Sequence, residues 1–287
     1  MIAADENSFY LGLPCIIGRK KKAILGFLKE KMHKRILSRK GKFLSKAGRE
    51  VLLKTLAQVF SSYAMPIFIL SLETYSELER MMYKNLWGNS KKFRGVSWMS
   101  WNRLFKHKSS GGLSFRSLHD YNLSLLNKQA WRLLLHESSL VGRIYKAMYY
   151  SHGTFLLVVL GQHPSFIWKS IFETQGLITA GARIRIDSNF SVHILNSPWY
   201  VHNSFVISSH LSRAGAKVNQ LMTMDGFQWD KEIVNNLFEP RDYDLILSLP
   251  LSSSTLEDNW FWLHLHENLG FYTVKSNYHY LQAFKGK

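Results

Sequence analysis

The chain has 287 residues, 46% of them apolar, and a formal net charge of +17 with an isoelectric point near 9.9. One cysteine, Cys15, excludes a disulfide scaffold and any cysteine-based zinc knuckle. No apolar run approaches the roughly 20 residues of a membrane span, the longest being "FLLVVLG" at Phe155–Gly161, so a soluble or peripheral protein is expected.

The charge is unevenly placed. Residues 1–150 hold 27 Lys/Arg against 9 Asp/Glu, whereas residues 151–287 hold 10 against 11. Such a split predicts that the first half faces a polyanion, nucleic acid before an anionic membrane. The opening "MIAADENSFY" has two acids and no basic stretch, so no secretory signal is expected. With the single cysteine, this suits a nuclear or cytoplasmic location.

Residues 1–17, with "YLGLP", read as an extended segment. From Lys20, apolar residues recur at Ile24, Leu28, Met32 and Ile36, one stripe of a helix that ends at "SRKGK". Ser45 is a suitable N-cap for a second helix through Leu52, Leu56, Val59, Phe60 and Tyr63, stopped by Pro66. A third spans Leu72–Trp87, with Leu78, Met82 and Leu86 on one face and Gly88 as its cap. These helices make a basic bundle over residues 18–90.

A helical connecting segment is predicted for 91–175. Its linker holds the Gly111-Gly112 turn and two large anchors, Trp98 and Trp101; helices follow at about Ser117–His136 and Leu140–Tyr149. Residues 176–287 read as a small α+β tail. "ARIRIDSNFSVHIL" predicts a hairpin turning at Asp187–Asn189, and "WFWLHLHENLGFYTVKSNYHYL" a strand, a turn at Asn268–Gly270, a strand and a short helix. The fold class is therefore mainly α with a small α+β C-terminal part carrying short antiparallel strands.

Several long blocks, taken together, resemble the reverse transcriptases of LINE-type (non-LTR) retrotransposons of plants. They are "YLGLPCIIGRKKKAILGFLKEKMHKRI", "LSKAGREVLLKTLAQVFSSYAMPIFILSLETYSELERMMYKNLWG", "VSWMSWNRLFKHKSSGGLSFRSLHDYNLSLLNKQAWRLL", "SLVGRIYKAMYY" and "GQHPSFIWKSI", in the family's order. The resemblance covers Phe9–Phe205 closely and the remainder loosely. It implies the segment downstream of the polymerase palm: the thumb at 18–90 and the connecting region beyond. The family's Tyr-x-Asp-Asp box has no counterpart, because the chain has no Asp-Asp dipeptide. The zinc-binding region that follows in such elements is absent too. Ile184 stands where a tryptophan is usual, and Asp187-Ser188 where glycines are common.

The resemblance implies a fragment of an RNA-directed DNA polymerase that binds the template–primer duplex without an active site of its own. Such a chain is predicted inactive alone, with no cofactor; Mg²⁺ belongs to the parent enzyme's palm. The implied partners are an RNA–DNA or DNA duplex and a palm domain from a fuller copy, with no membrane. Two other readings stand beside it: an inert retroelement remnant, and a basic protein-interaction scaffold.

The residues expected on phosphates are Arg19, Lys20, Lys21, Lys22, Lys29, Lys34, Arg35, Arg39, Lys40, Lys42, Lys46 and Arg49. Cations along a helix release condensed counterions when they meet a duplex backbone, and Arg adds bidentate contacts. The bland alternative is a solvated face; against it, Glu30 and Glu50 are the acids available within the run. Gly48, in "SKAGRE", lets a backbone pass close: a primer strand or a neighbouring helix. Trp98 and Trp101 are read as core anchors, with base stacking the alternative. His264 and His266 share a strand face, but no carboxylate is set beside them, so no metal site is expected.

Overall fold

The computed structural model describes residues 9–10, 13–14, 26, 30, 32–34, 36, 44–88, 97–186, 192–194, 197–199, 216–224, 228–249, 251, 259–263 and 270–285. The fold is mainly helical with a small antiparallel sheet in its C-terminal part. Strands β1 (Phe9–Tyr10) and β2 (Leu13–Pro14) pair in a two-residue ladder. Of the first predicted helix, residues 26, 30, 32–34 and 36 are described, and all are helical. Met32 and Ile36, four residues apart on its stripe, are buried.

Helix α1 (Lys46–Tyr63) starts on Ser45, whose hydroxyl accepts the Gly48 amide, and ends ahead of Pro66. Helix α2 (Leu72–Trp87) buries Leu78, Met82 and Leu86, and the Gly88 amide closes it onto the Lys84 carbonyl. The sequence placed both ends of α2 because its cap, its stripe and its stop are all local. The same serine capping starts α4 (Leu118–Leu135), α5 (Leu140–Tyr149) and α6 (Phe166–Phe172) on Ser117, Ser139 and Ser165. Each such cap contributes about 1 kcal/mol. Between α2 and α4 lies the short α3 (Trp101–Phe105).

The first core packs α1, α2 and the 64–70 turn against Leu104, Phe115 and Leu118. It thus runs past residue 90. Asn122 of α4, fully buried, pins the turn: its amide donates to the carbonyls of Met65 (2.7 Å) and Phe68 (3.1 Å), and its oxygen accepts from the Leu70 amide and the Tyr75 hydroxyl.

The second core surrounds Trp168, stacked 4.5 Å from Tyr149, and includes Trp131, Phe155 and Ile178 of α7 (Gln175–Gly181). Trp262 and Tyr272 reach it from the far end of the sequence. Helix α4 therefore has neighbours on several sides, and its Asp120, Ser124 and Asn127 are buried along with its leucines. The last helix, α10 (Val274–Lys285), and Tyr272 just before it supply the matching polar groups. Asn277 donates to the Ser124 hydroxyl, Gln282 to the Asp120 carboxylate, and the Tyr272 hydroxyl to the Ser124 carbonyl.

Strand β3 (Ala182–Arg185) follows α7, as its alternation predicts, but the hairpin expectation is corrected. Its partner is β4 (Asn259–Trp262), in register Ala182↔Trp262 to Arg185↔Asn259. The sequence pattern marks a strand but says nothing of its partner's distance. His193 bridges to Lys217 instead, and the expected turn at 187–189 lies outside the described residues. Gly270 adopts φ +67° and its carbonyl accepts the Trp262 amide; residues 271–273 lead straight into α10 without the expected strand. A third core joins Ile186 and Trp199 to α8 (Lys231–Leu237) and α9 (Pro240–Ser248).

Candidate nucleic-acid interface

Three of the twelve predicted phosphate-binding residues lie among the described ones: Lys34, Lys46 and Arg49. Arg19, Lys20, Lys21, Lys22, Lys29, Arg35, Arg39, Lys40 and Lys42 lie outside them, as do Cys15, His264 and His266. The three differ in what their charges do.

Lys34 sits on the outer face, opposite Met32 and Ile36, and pairs with Glu30 at 2.7 Å across one helical turn. Both side chains are more than 60% exposed, so the pair is held weakly. Its hydrogen bond to Lys34, followed by the lysine's charge, lowers the Glu30 carboxyl below its usual range.

Lys46 opens α1. Its ammonium lies 5.9 Å from the Trp87 ring centre and 5.5 Å from that of Trp98, within the range of cation–π attraction. Trp98 is 70% exposed, while Trp101, three residues on, packs on the first core and meets Tyr83, Phe105 and Phe115 ring to ring. The two tryptophans read alike in "SWMSWN"; the structure anchors Trp101 and leaves Trp98 beside a lysine on the surface.

Arg49 is spent within the fold. Its guanidinium donates to the carbonyls of Gly88 (2.7 Å) and Asn85 (3.4 Å), closing the C-terminal end of α2. Those carbonyls have no partner within their own helix, and a cation suits the negative end of the helix dipole. Gly48 also has a local purpose. A Cβ there would lie 3.1 Å from Cδ2 of Leu44, which folds back over the helix start.

Two cations absent from the predicted set lie on the neighbouring helix α2. Arg80 and Lys84 are exposed on α2, opposite the Leu78/Met82/Leu86 stripe. Their four-residue spacing off that stripe was the signal available. Among the described residues, no carboxylate stands within ion-pair distance of Lys46, Arg80 or Lys84. The arrangement can neutralise phosphates and present an indole to a base. No group of three His, Cys, Asp or Glu suited to holding a metal occurs among the described residues, and no described helix is long and apolar enough to cross a membrane.

Comparison with known proteins gives one informative match. An uncharacterized mitochondrial protein of Arabidopsis thaliana is 30% identical over 138 residues, which is 90% of that protein and 48% of this chain. The chain belongs to that protein's family. The matched stretch makes up nearly all of the plant mitochondrial protein and about half of the present chain. The family's Arabidopsis member carries no assigned activity in its name. No family profile matches the chain, and no solved structure does.

Proposed function

We propose that the chain is a duplex-binding thumb-and-connection segment derived from a LINE-type reverse transcriptase, holding a template–primer duplex by its phosphates. The observation that carries this reading is the concentration of positive charge in residues 1–150, 27 Lys/Arg against 9 Asp/Glu. It is supported by the ordered sequence blocks that resemble that family and by the kinship with a plant mitochondrial protein. The contact residues are Arg19, Lys20, Lys21, Lys22, Lys29, Lys34, Arg35, Arg39, Lys40, Lys42 and Lys46, joined by Arg80 and Lys84. Backbone contacts of this type position a duplex without reading its sequence. Nucleotide addition requires a palm with its two Mg²⁺ ions, supplied by a fuller copy of the element. That the relative is named a mitochondrial protein supports the mitochondrion, beside the nucleus and cytosol, as a proposed location.

The test is binding of a labelled RNA–DNA hybrid across a salt series by protein whose helicity has been verified by circular dichroism. Log affinity should fall linearly with log salt, with a slope of about −0.9 for each phosphate neutralised. Replacing Lys20, Lys21 and Lys22 together by Ala should weaken all duplex sequences alike and flatten the slope. A folded protein with no saturable hybrid binding would leave the remnant or the scaffold reading. Unchanged affinity in the triple variant would remove the basic run from the interface.

A further inference from the structure

A second cationic surface forms where the last helix returns to the middle of the chain. The segment after α3 and one face of α10 enclose a cleft of about 690 Å³, a size ordinary for small-ligand sites. Its walls include Phe105, Lys106, Arg116, Tyr121, Lys275 and Tyr278, and no Asp or Glu is among its lining residues. Lys106, Arg116 and Lys275 are exposed, and among the described residues none has a carboxylate within ion-pair distance. Basic residues with no acid between them carry a repulsion that an anion would relieve.

The cleft is built rather than incidental. Arg116 lies with its guanidinium carbon 4.8 Å above the Tyr121 ring centre, which holds the plane still while its N–H edges point sideways. Tyr121 is braced by the Tyr278 ring at 6.2 Å and 78°, and Tyr278 is fixed by the Ser117 amide, which donates to its hydroxyl. The wall carrying Lys106 is tightly wound. Ser114 holds φ +53°, rare for a residue with a side chain, with its amide on the Lys106 carbonyl and its hydroxyl accepting the Lys108 amide. A Cβ at Gly112 would come within 2.0 Å of the Lys106 carbonyl oxygen. A strained non-glycine backbone persists where its surroundings enforce it, and such places cluster at ligand clamps.

We propose that this cleft binds single-stranded nucleic acid, with phosphates on Lys106, Arg116 and Lys275 and a base against the tyrosine pair. Aromatic faces beside a row of cations are the standard means of holding an unpaired strand irrespective of sequence. A duplex hides its base faces and would use the cations alone; an acidic peptide would leave the rings idle. The cleft shares no residue with the duplex interface proposed above, so the two readings are tested separately.

The experiment measures fluorescence anisotropy of the full chain with three probes of matched length: labelled oligothymidine, its abasic counterpart, and a duplex. Wild-type protein should bind oligothymidine roughly tenfold or more tightly than the abasic strand at equal salt, the range of a single base–aromatic stack. Lys106→Glu with Lys275→Glu, both surface changes, should weaken oligothymidine at least tenfold. The double variant should also flatten its salt slope by about 1.4, two contacts at about 0.7 each for a single strand. The Lys20/Lys21/Lys22 alanine variant should keep its oligothymidine affinity, which separates failure here from failure of the duplex reading. Equal binding of the abasic strand, unaltered affinity in the charge-reversed protein, or displacement of oligothymidine by polyglutamate at equal charge would each overturn the proposal.

Discussion

Asn122→Ala is the sharpest single test of how the first core is assembled. The side chain is fully buried and its four hydrogen bonds all reach the 64–75 region. In the alanine protein the Met65 and Phe68 carbonyls and the Tyr75 hydroxyl lose this partner inside the core, while the Leu70 amide keeps the Tyr75 oxygen at 3.3 Å. A buried polar group left unpaired costs about 1–3 kcal/mol. With three groups orphaned, the lower half of that range gives a loss of about 3–6 kcal/mol. A domain's whole stability is about 5–15 kcal/mol, so the variant should approach the edge of folding. At roughly 2–4 °C per kcal/mol for a chain of this general size, the melting midpoint should fall by about 10 °C, followed by far-UV circular dichroism. Asn122→Asp supplies the control. At neutral pH its carboxylate would face two carbonyl oxygens and should be at least as damaging; at acid pH, protonation gives back one donor and part of the stability. A fall of under about 2 °C for the alanine protein, on the same scale, would refute this account of the turn.

Three further outcomes follow from the geometry. Gly181→Ala would push a Cβ to 2.3 Å from Trp262, whose ring is locked between Trp131 and Tyr272; urea denaturation should show a loss of about 1–3 kcal/mol from overpacking. Burial raises the Glu79 carboxyl above its usual range, against the opposing influence of Trp101 and the Leu118 amide. The folded state therefore holds that proton to higher pH than the unfolded state, and this part of the stability falls as pH rises from about 4 through the raised value. Glu79→Gln should then be the more stable protein at neutral pH, the two converging in acid; equal stability at neutral pH would contradict this. Arg49→Ala should lower stability by about 1–2 kcal/mol, with Arg49→Lys restoring part of it. A large loss of hybrid affinity without a fall in melting midpoint would instead place Arg49 at the phosphates.

How far the sequence alone could reach depends on how local each signal is. Helix α2 announces itself from Leu72 to Gly88 because its stripe and its closing glycine lie within one short stretch. Helix α4 shows its leucines, yet nothing nearby tells that Asp120, Asn122 and Ser124 are buried too. Their partners sit at Gln282, Met65 and Asn277. Strand β3 shows its alternation but not its pairing with Trp262. The same holds for the candidate interface. The charge run is visible as composition, whereas the engagement of Arg49 with the Gly88 carbonyl depends on two helices meeting. The cleft of Lys106, Arg116 and Lys275 is invisible in one dimension, because it forms only when the last helix returns to the chain's middle.

That return has a consequence for synthesis. Asp120 and its partner Gln282 are 162 residues apart. At about 5–20 residues per second of translation, α4 waits roughly 8–30 s for its polar counterpart. Throughout that interval Asp120 and Ser124, whose partners Gln282 and Asn277 come last, offer polar groups to water, while Asn122 can already engage the 64–75 region made before it. The middle of the chain is thus kept soluble by the very groups that later lock it, and closure of the second core is timed by the ribosome's release of α10. Ribosome-bound chains arrested before and after Val274 should therefore differ sharply in protease resistance around Trp168.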